Sequence, residues 1–221
     1  MSLINRMITI YGINGGHVAR LRAALIMKGL EFEHVSVDMA KRSEEFLSKS
    51  LAETIPFMED EGVIVGESIA ATKYLDEKYP ETYKMMGLNL QEKVMVYNVI
   101  WAVDRITQYL GPFYVERFNI AEGMKATSRS HKAFTYDEQQ KADLQKELDY
   151  RLSKLQKLKT GKFFTSQFSS ADASLLALLS TLLWHGLSTS QFWQSWKEEL
   201  LQDEKIGMMF PAADEKGVRE I

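Results

Sequence analysis

The alternation of hydrophobic and polar positions predicts a small α+β domain in the first 80 residues. The β-branched run at 8–11 and the alternating segment at 31–37 are typical of strands. Between them, apolar residues recur at helical spacing and end at a lysine and a glycine, which is typical of a helix. A short helix opened by Ser43 follows, since serine is a favoured N-cap. The predicted order is therefore β-α-β-α up to this point.

Residues 54–80 predict a β-hairpin followed by a helix. Pro56 stands at the entry of the first strand, and an acidic residue before glycine in the turn at 60–62 suits a hairpin. Glu67 and Ser68 follow a glycine that ends the second strand, and an apolar face at helical spacing comes next. A βαβ unit followed by a hairpin and a helix is the thioredoxin-like plan, with a mixed four-stranded sheet.

The second part of the chain is predicted to be an all-α helical bundle. We expect a domain at 1–80, a linker without periodicity at 81–88, and a helical domain at 89–221. Asn89 is a candidate N-cap for a helix with a long apolar stripe. Residues 119–137 are polar and irregular, and they are predicted as a loop or a frayed helix end.

A capping box precedes the most apolar helix of this second domain. Ser169 can cap the helix while Asp172 reaches back to the N–H of the cap residue. The helix that follows is apolar nearly all round, so we expect it to be buried at the centre of the bundle. Both residues are predicted to stabilise the fold and not to act in chemistry.

Composition and charge exclude several classes of function. The chain has 221 residues, 45% of them hydrophobic, and a net charge of −3. It carries no basic block interleaved with aromatics, so we expect no nucleic-acid partner, and no apolar run of membrane-spanning length, so we expect no membrane insertion. We also expect no signal peptide and a cytoplasmic location. The absence of cysteine excludes cysteine-based zinc sites and thiolate chemistry of the protein itself, and the four histidines show no metal-ligand spacing.

Taken together, these motifs resemble the cytosolic glutathione transferases. The resemblance rests on Ile-Pro-Phe before a hairpin, Gly-Glu-Ser at a helix start, and Tyr-Leu-Asp-Glu-Lys-Tyr-Pro at its end. It implies that Pro56 is cis and that the backbone of Ile55 pairs with the cysteinyl unit of glutathione. It further implies that Glu67 meets the γ-glutamyl ammonium and Ser68 its carboxylate. Free N–H groups and the helix dipole at such a start bind carboxylates independently of family.

The group that activates the thiol is predicted at the turn before the first helix. Alignment with the family places Tyr11 on the catalytic tyrosine of the Tyr-type classes, although Ser-type members often carry a structural tyrosine there. His17 falls where a bacterial class keeps cysteine, and Asn14 is the third candidate. The Ser and Cys signatures of other classes are absent. The backbone N–H groups of Gly15 and Gly16, or no catalysis at all, remain as alternatives.

The site for the glycyl end of glutathione departs from the family pattern. The family usually has Asn-Pro before the hairpin stretch, whereas this chain has Ser50 and Leu51. Lys41, Arg42 and Lys49 are candidates for the glycyl carboxylate. For each of them, a solvated charge on the surface is the alternative interpretation.

The leading functional hypothesis is a glutathione S-transferase-like enzyme that activates glutathione for attack on a small hydrophobic electrophile. The resemblance implies a homodimer in which a helical-domain aspartate reaches the partner's ligand, and Asp104 is our candidate. An intrachain pair of Asp104 with Arg105 or another base is the alternative. Other functions left open are a non-catalytic interaction module and a glutathione-dependent isomerase or peroxidase. Aromatic and apolar candidates for the electrophile wall are Tyr109, Phe113, Tyr114, Phe118, Trp184 and Met208.

Overall fold

The computed structural model places a four-stranded sheet with three helices before a bundle of helices. It describes residues 7–13, 15–38, 41–110, 136–182 and 185–210. The first domain contains β1 (Ile8–Gly12), α1 (Gly16–Lys28), β2 (Phe32–Ser36), α2 (Glu44–Lys49), β3 (Phe57–Asp60), β4 (Val63–Gly66) and α3 (Ser68–Lys78). The predicted order of elements is confirmed.

The sheet is mixed, with strand order β2-β1-β3-β4. β1 runs parallel to β2, with Tyr11 opposite Val35, and antiparallel to β3, with Tyr11 opposite Phe57. β3 and β4 form the predicted antiparallel hairpin. This arrangement confirms the thioredoxin-like sheet.

The two faces of the sheet carry different helices. On one face, Ile10 of β1 and Met58 of β3 pack with Leu21 of α1 and Leu75 of α3. On the other face, a smaller cluster forms around Phe46 of α2; it contains Tyr11, Val37 and Phe57, with Ile55 partly buried against it. Side chains alternate between the faces along each strand. Neighbouring residues of β1 therefore point to different helices.

The second domain is helical, as predicted. Its described helices are α4 (Leu90–Tyr109), α5 (Glu138–Leu158), α6 (Ser170–Leu182), α7 (Gln191–Leu201) and α8 (Glu204–Met209). Helix α6 packs against both α1 and α4, and nearly all of its residues are buried. The two domains therefore share one core, in which Ala19, Ala23 and Ala24 of α1 join the apolar side chains of the bundle. Within these described ranges, no helix is long and apolar enough to cross a membrane.

A buried ion pair holds the chain between the domains. Nζ of Lys28 lies 2.6 Å from a carboxylate oxygen of Asp76 and donates to the carbonyl oxygen of Tyr83 at 2.8 Å. The Asp76 carboxylate in turn accepts hydrogen bonds from the backbone N–H groups of Met85 and Met86. These contacts anchor the segment after α3. The division of the chain at 81–88 stays a prediction.

The Asp172 half of the predicted capping box is present at the start of α6. Asp172 is fully buried and accepts hydrogen bonds from the backbone N–H of Ser169 at 2.9 Å and of Phe164 at 3.0 Å. The Ser169 hydroxyl also donates to the Asp172 carboxylate, at 2.7 Å. The Asp172 carboxylate therefore joins the start of α6 to the segment before it. The sequence pattern did not indicate the hydrogen bond from Phe164.

The structure adds two features to the predicted helical domain. Asp137, the last residue of the segment predicted as a loop or a frayed helix end, is the N-cap of α5 and forms a reciprocal capping box with Gln140. Residues 119–135 of that segment lie outside the described residues. The Asp-x-x-Gln spacing was the available signal. The short helix α8 was not predicted; the carboxylate of Asp203 caps it by accepting from the N–H of Ile206 at 3.0 Å.

Candidate active site

The start of α3 presents backbone donors beside a buried serine. Glu67 is the N-cap residue, and within the described part of the chain no side chain caps this helix. Its φ of 62° is uncommon for a non-glycine residue, and such strain clusters at binding sites. Ser68 is buried, while Glu67 is exposed. The free N–H groups and the positive end of the helix dipole make this position suitable for a carboxylate.

A buried arginine from α1 lies directly behind this serine. Arg20 is only 2% exposed, and its Nε and Nη2 donate to the Ser68 hydroxyl oxygen at 3.1 and 2.8 Å. Its Nη1 donates to Asp104 of α4 at 3.0 Å and to the hydroxyl oxygen of Ser174 of α6 at 3.1 Å. Burial lowers the pKa of Arg20, and the Asp104 carboxylate partly offsets this. The guanidinium of Arg20 on α1 therefore contacts α3, α4 and α6. Two of its partners, Ser68 and Asp104, are predicted binding residues.

Sequence reasoning missed Arg20 as a functional residue. Arg20 and Arg22 flank Leu21 on a helix whose other described residues are largely apolar, and both arginines are buried. Two arginines two positions apart on a mostly apolar helix could have indicated that each has a buried partner. An arginine is almost never fully buried unless it is paired.

His17 and Asp104 face each other across the same junction. The His17 Nε2 lies 3.6 Å from the Asp104 carboxylate, which is also the partner of Arg20. Burial, followed by the charge of Arg20, lowers the pKa of His17 to about 4, although Asp104 opposes the shift. The imidazole is therefore neutral at pH 7. Asp104 forms an ion pair within the chain, as the alternative interpretation predicted. The basic partner is Arg20. Arg105 instead donates a hydrogen bond to the side chain of Gln108.

These residues line a cleft between the two domains. The cleft is shallow and lies between α1, α4 and α6. Its polar lining comes mainly from His17, Arg20, Asp104 and Ser174, and its apolar lining comes from side chains of α4 and α6. The lining residues are Gly16, His17, Arg20, Val103, Asp104, Thr107, Ser174, Ala177, Leu178 and Thr181. The N-terminus of α1 opens into this cleft, where a bound thiol would meet backbone N–H groups.

Tyr11 belongs to the other face of the sheet. Its ring stacks on Phe57 with centroids 4.3 Å apart and is 6% exposed. Its hydroxyl oxygen accepts from Nζ of Lys49 at 2.9 Å, and Glu59 lies 3.5 Å away. The structure therefore does not bring the hydroxyl of Tyr11 together with Ser68, and it places polar partners from α2 and β3 around it.

Ile55 and Pro56 lie where the hairpin begins, and the peptide bond between them is cis. The loop before them is held by Ser50, whose hydroxyl donates to the carbonyl of Thr54 at 3.0 Å and accepts from the N–H of Thr54 at 3.1 Å. Ile55 packs partly against the Tyr11 and Phe57 cluster. The Ile55 side chain therefore lies on the α2 side of the sheet.

Several candidates from the sequence lie elsewhere. Of the apolar candidates in the described part, Tyr109 packs against Arg151, with the guanidinium 5.5 Å from its ring centre, and Met208 is exposed on α8. Neither lines the cleft between α1, α4 and α6. Candidates outside the described residues are Asn14, Phe113, Tyr114, Phe118 and Trp184.

Comparison with known proteins agrees with this geometry. Residues 10–83 match the family model described as the glutathione S-transferase N-terminal domain. This part of the chain is similar to the N-terminal domain of glutathione S-transferases. The resemblance found in the sequence is therefore confirmed for the domain that contains Ser68 and Pro56.

Curated relatives match over part of this chain. Glutathione S-transferase Z1 of Arabidopsis thaliana is 38% identical over 65 residues, which cover 28% of this chain and 29% of that protein. Maleylacetoacetate isomerase of Rattus norvegicus is 33% identical over 67 residues, covering 28% of this chain and 31% of that protein. The chain thus spans about a third of the length of these two relatives.

Solved structures extend the likeness to both domains. A rice glutathione S-transferase, GST1, crystallised in complex with glutathione, superposes with a TM-score of 0.72 at 18% identity. The match covers 94% of this chain and 92% of that structure. At this identity the comparison shows the fold alone. It confirms a thioredoxin-like domain followed by a helical domain for nearly the whole length.

Proposed function

We propose that the protein is a glutathione S-transferase-like enzyme that binds reduced glutathione at the start of α3. The observation that carries the proposal is the double hydrogen bond from buried Arg20 to Ser68 at an uncapped helix N-terminus. Ser68 and the α3 N–H groups hold the γ-glutamyl carboxylate, and Glu67 and Asp104 attract its ammonium. The backbone of Ile55 pairs with the cysteinyl unit. A cytoplasmic location is part of the same proposal.

Replacing Ser68 with alanine tests the proposed carboxylate site. We expect the change to weaken glutathione binding by about 10-fold or more, because a hydrogen bond to a charged group is worth about 1.5–3 kcal/mol. Calorimetric titration measures the affinity. Ser180→Ala is the matched control, since Ser180 is a half-buried helical serine that bonds only within its own helix in the described structure. Equal affinity of wild type and Ser68→Ala would remove Ser68 from the site.

We further propose that the thiolate lies at the N-terminus of α1 with His17 as a side-chain donor. His17 lines the cleft and is neutral above pH 4, so it can donate a hydrogen bond without adding a charge. The first turn of α1 also offers N–H groups and the helix dipole. The thiol loses its proton to solvent, and the cleft holds the thiolate close to the second substrate.

Two substitutions separate the thiol-activating candidates. We expect His17→Ala to lower kcat by about 10-fold, or about 1.4 kcal/mol of transition-state stabilisation, with little change in glutathione affinity. Tyr11→Phe should change kcat less than threefold, because the Tyr11 hydroxyl is already paired with Nζ of Lys49 and lies beside the Glu59 carboxylate. Steady-state kinetics with a chromogenic electrophile measures both. A larger loss of kcat in Tyr11→Phe than in His17→Ala would show that Tyr11 is the hydrogen-bond donor to the thiolate.

A glutathione-dependent isomerase is the second candidate function. It is supported by the relative named maleylacetoacetate isomerase and by the cleft's polar lining from His17, Thr107 and Thr181. The stoichiometry of the thiol distinguishes the two reactions. A transferase consumes one glutathione per product, whereas an isomerase regenerates it. Titration of free thiol during turnover therefore assigns the reaction class.

We propose that the protein is a homodimer that pairs through α4. Leu90, Val94, Tyr97 and Trp101 form an exposed apolar stripe at helical spacing on this helix, and Trp101 is 67% exposed. Asp104 follows one turn after Trp101 along the same face. This position supports the proposal that Asp104 also approaches the ligand of a partner.

A charged residue in this stripe should separate the dimer. We expect Trp101→Glu to convert a dimer of wild-type protein into a monomer at micromolar concentration, because the change removes a large apolar side chain and buries a charge. Light scattering after size exclusion gives the mass. Tyr150→Glu on α5 is the control, as Tyr150 is exposed outside the stripe. A monomeric wild type, or a dimeric Trp101→Glu, would contradict the proposed interface.

A further inference from the structure

The end of α5 and the segment after it carry a local excess of positive charge. From residue 150 to residue 171 the chain has five basic residues and no acidic one, although acidic residues outnumber basic ones in the whole chain. Arg151 is neutralised by an ion pair with Glu147. The other four are Lys154, Lys157, Lys159 and Lys162. A helix C-terminus favours cations only within its last turn, so the dipole accounts for part of this cluster.

Exposed apolar side chains lie among these lysines. Tyr150 precedes Lys154 by four positions and Leu158 follows it by four, so they share one side of α5 with it. Nζ of Lys154 lies 4.9 Å from the ring centre of Tyr150, and Nζ of Lys159 lies 6.0 Å from that of Phe192 on α7. Tyr150, Leu158 and Phe192 are all exposed. We call these three residues and the four lysines the basic face.

Carboxylates neutralise only part of the basic face in the described structure. Of the four lysines, Lys162 has a paired carboxylate there, since its Nζ lies 3.9 Å from Glu199. Asp172 is the acidic residue beneath Lys159, but it is fully buried and already accepts backbone N–H groups. Most of the positive charge therefore faces solvent.

The charges around the basic face leave it positive. Lys197 and Glu198 of α7 offset each other, and Asp149 of α5 lines the groove beside the face. The four lysines and Lys197, set against Asp149, Glu198 and Glu199, leave two net positive charges. The chain as a whole has a net charge of −3, so the basic face stands out from the rest of the molecule.

This combination of side chains suits the surface of an anionic lipid bilayer. Lysines are attracted to anionic headgroups, and apolar side chains beside them can enter the headgroup region. An acidic peptide would need a groove with cations along it, but the described groove beside the face is lined by Asp149 and by uncharged residues. Nucleic acid is recognised best by the planar fork of arginine, and Arg151 is already paired with Glu147.

We propose that the basic face binds the headgroup surface of anionic membranes, with the protein adsorbed on the bilayer. A surface contact of this kind needs no membrane-spanning helix. The basic face shares no residue with the cleft between α1, α4 and α6 or with the apolar stripe of α4. The adsorbed protein therefore keeps its cleft open. Because the contact does not involve the glutathione site, this proposal and the proposed function can fail independently.

Sedimentation of wild-type protein with lipid vesicles tests the proposal. We expect vesicles of phosphatidylcholine with about 30% phosphatidylserine to bind the protein at least about 10-fold more strongly than vesicles of phosphatidylcholine alone, at an ionic strength of about 0.1 M. Binding should fall as the ionic strength rises to about 0.5 M, because salt screens the lysines. Equal binding to both kinds of vesicle, or no binding to the anionic ones, would overturn the proposal.

Two double variants of α5 with the same change in net charge locate the contact. We expect Lys154→Glu/Lys157→Glu to weaken vesicle binding at least about 10-fold, since each lysine near an anionic surface strengthens binding about fivefold. Lys141→Glu/Lys146→Glu is the matched control, because these lysines lie towards the other end of α5 and pair with acidic residues of that helix. The control should stay within about threefold of wild type. An equal loss in both variants would show that net charge alone governs binding, and would overturn the proposal.

Soluble polyanions provide the last comparison. We expect a labelled polyglutamate peptide and duplex DNA to show no saturable binding to wild-type protein under the conditions in which anionic vesicles bind. Saturable binding of either one that is lost in Lys154→Glu/Lys157→Glu, without binding to vesicles, would assign the basic face to a soluble acidic partner and would overturn the proposal.

Discussion

Replacing Arg20 with methionine should abolish most glutathione binding and also destabilise the fold. The change leaves Ser68, Ser174 and Asp104 without their shared donor. Removing one partner of a buried ion pair costs about 3–5 kcal/mol of unfolding free energy. The affinity for glutathione should fall by about 100-fold, because Ser68 loses its position and the carboxylate site loses a nearby positive charge. Urea denaturation and calorimetric titration measure the two effects.

A second buried arginine on the same helix separates stability from binding. Arg22 is 1% exposed and donates to the carbonyl of Met209 at the end of α8, away from Ser68. Arg22→Met should destabilise the protein, yet the folded fraction should bind glutathione within about twofold of wild type. Arg20→Lys, which keeps the charge but not the planar fork, should fall between wild type and Arg20→Met in affinity. Equal affinities of the Arg20 and Arg22 variants would show that Arg20 is only structural.

Asp172→Asn should destabilise the helical domain by about 2–4 kcal/mol at pH 7. The Asp172 carboxylate accepts from the backbone N–H groups of Ser169 and Phe164, and an asparagine amide must turn its NH₂ group towards one of these donors. The control is Asp203→Asn at the exposed cap of α8, where asparagine caps about as well as aspartate and the change should stay below about 0.5 kcal/mol. Chemical denaturation of both variants measures the difference.

The pH dependence of the Asp172 effect has a definite sign. Burial raises the pKa of Asp172 to about 6, against the hydrogen bonds that lower it. Between the ordinary value and pH 6, the folded protein therefore holds a proton that the unfolded chain has lost. The stability from this group rises as pH falls through this window, by roughly 1 kcal/mol per pH unit, and is lost above pH 6. The free energy of unfolding of wild type should thus exceed that of Asp172→Asn by more at pH 4.5 than at pH 7. A difference that does not change with pH would contradict this account.

Local signals in the sequence predicted the fold and part of the site. The hairpin, the Ser68 helix start and the Ser169 capping box each depend on residues a few positions apart, so their spacing alone was informative. Arg20 could not be assigned in this way, because its partners lie 48, 84 and 154 positions further along the chain. Only the packing of α1 against α3, α4 and α6 brings them together.

The same limit applies to Tyr11 and Asp104. Alignment placed Tyr11 near the thiol, but which face of the sheet a strand residue uses depends on register and on the helix packed against it. Its contacts with Lys49 and Glu59 come from α2 and β3. For Asp104, the sequence left the partner base open between Arg105 and others, and the crossing of α1 and α4 selected Arg20. The roles of Tyr11 and Asp104 in catalysis stay predictions.

Titration of the wild-type protein with reduced glutathione in a calorimeter tests the central claim most directly. The arrangement of Arg20, Ser68 and the uncapped α3 N-terminus predicts saturable binding of one glutathione per chain in the submillimolar range. Oxidised and S-methylated forms run in parallel would show how much of the affinity depends on the free thiol. The absence of detectable binding at millimolar glutathione would contradict the account and would favour a non-catalytic interaction module built on the same fold.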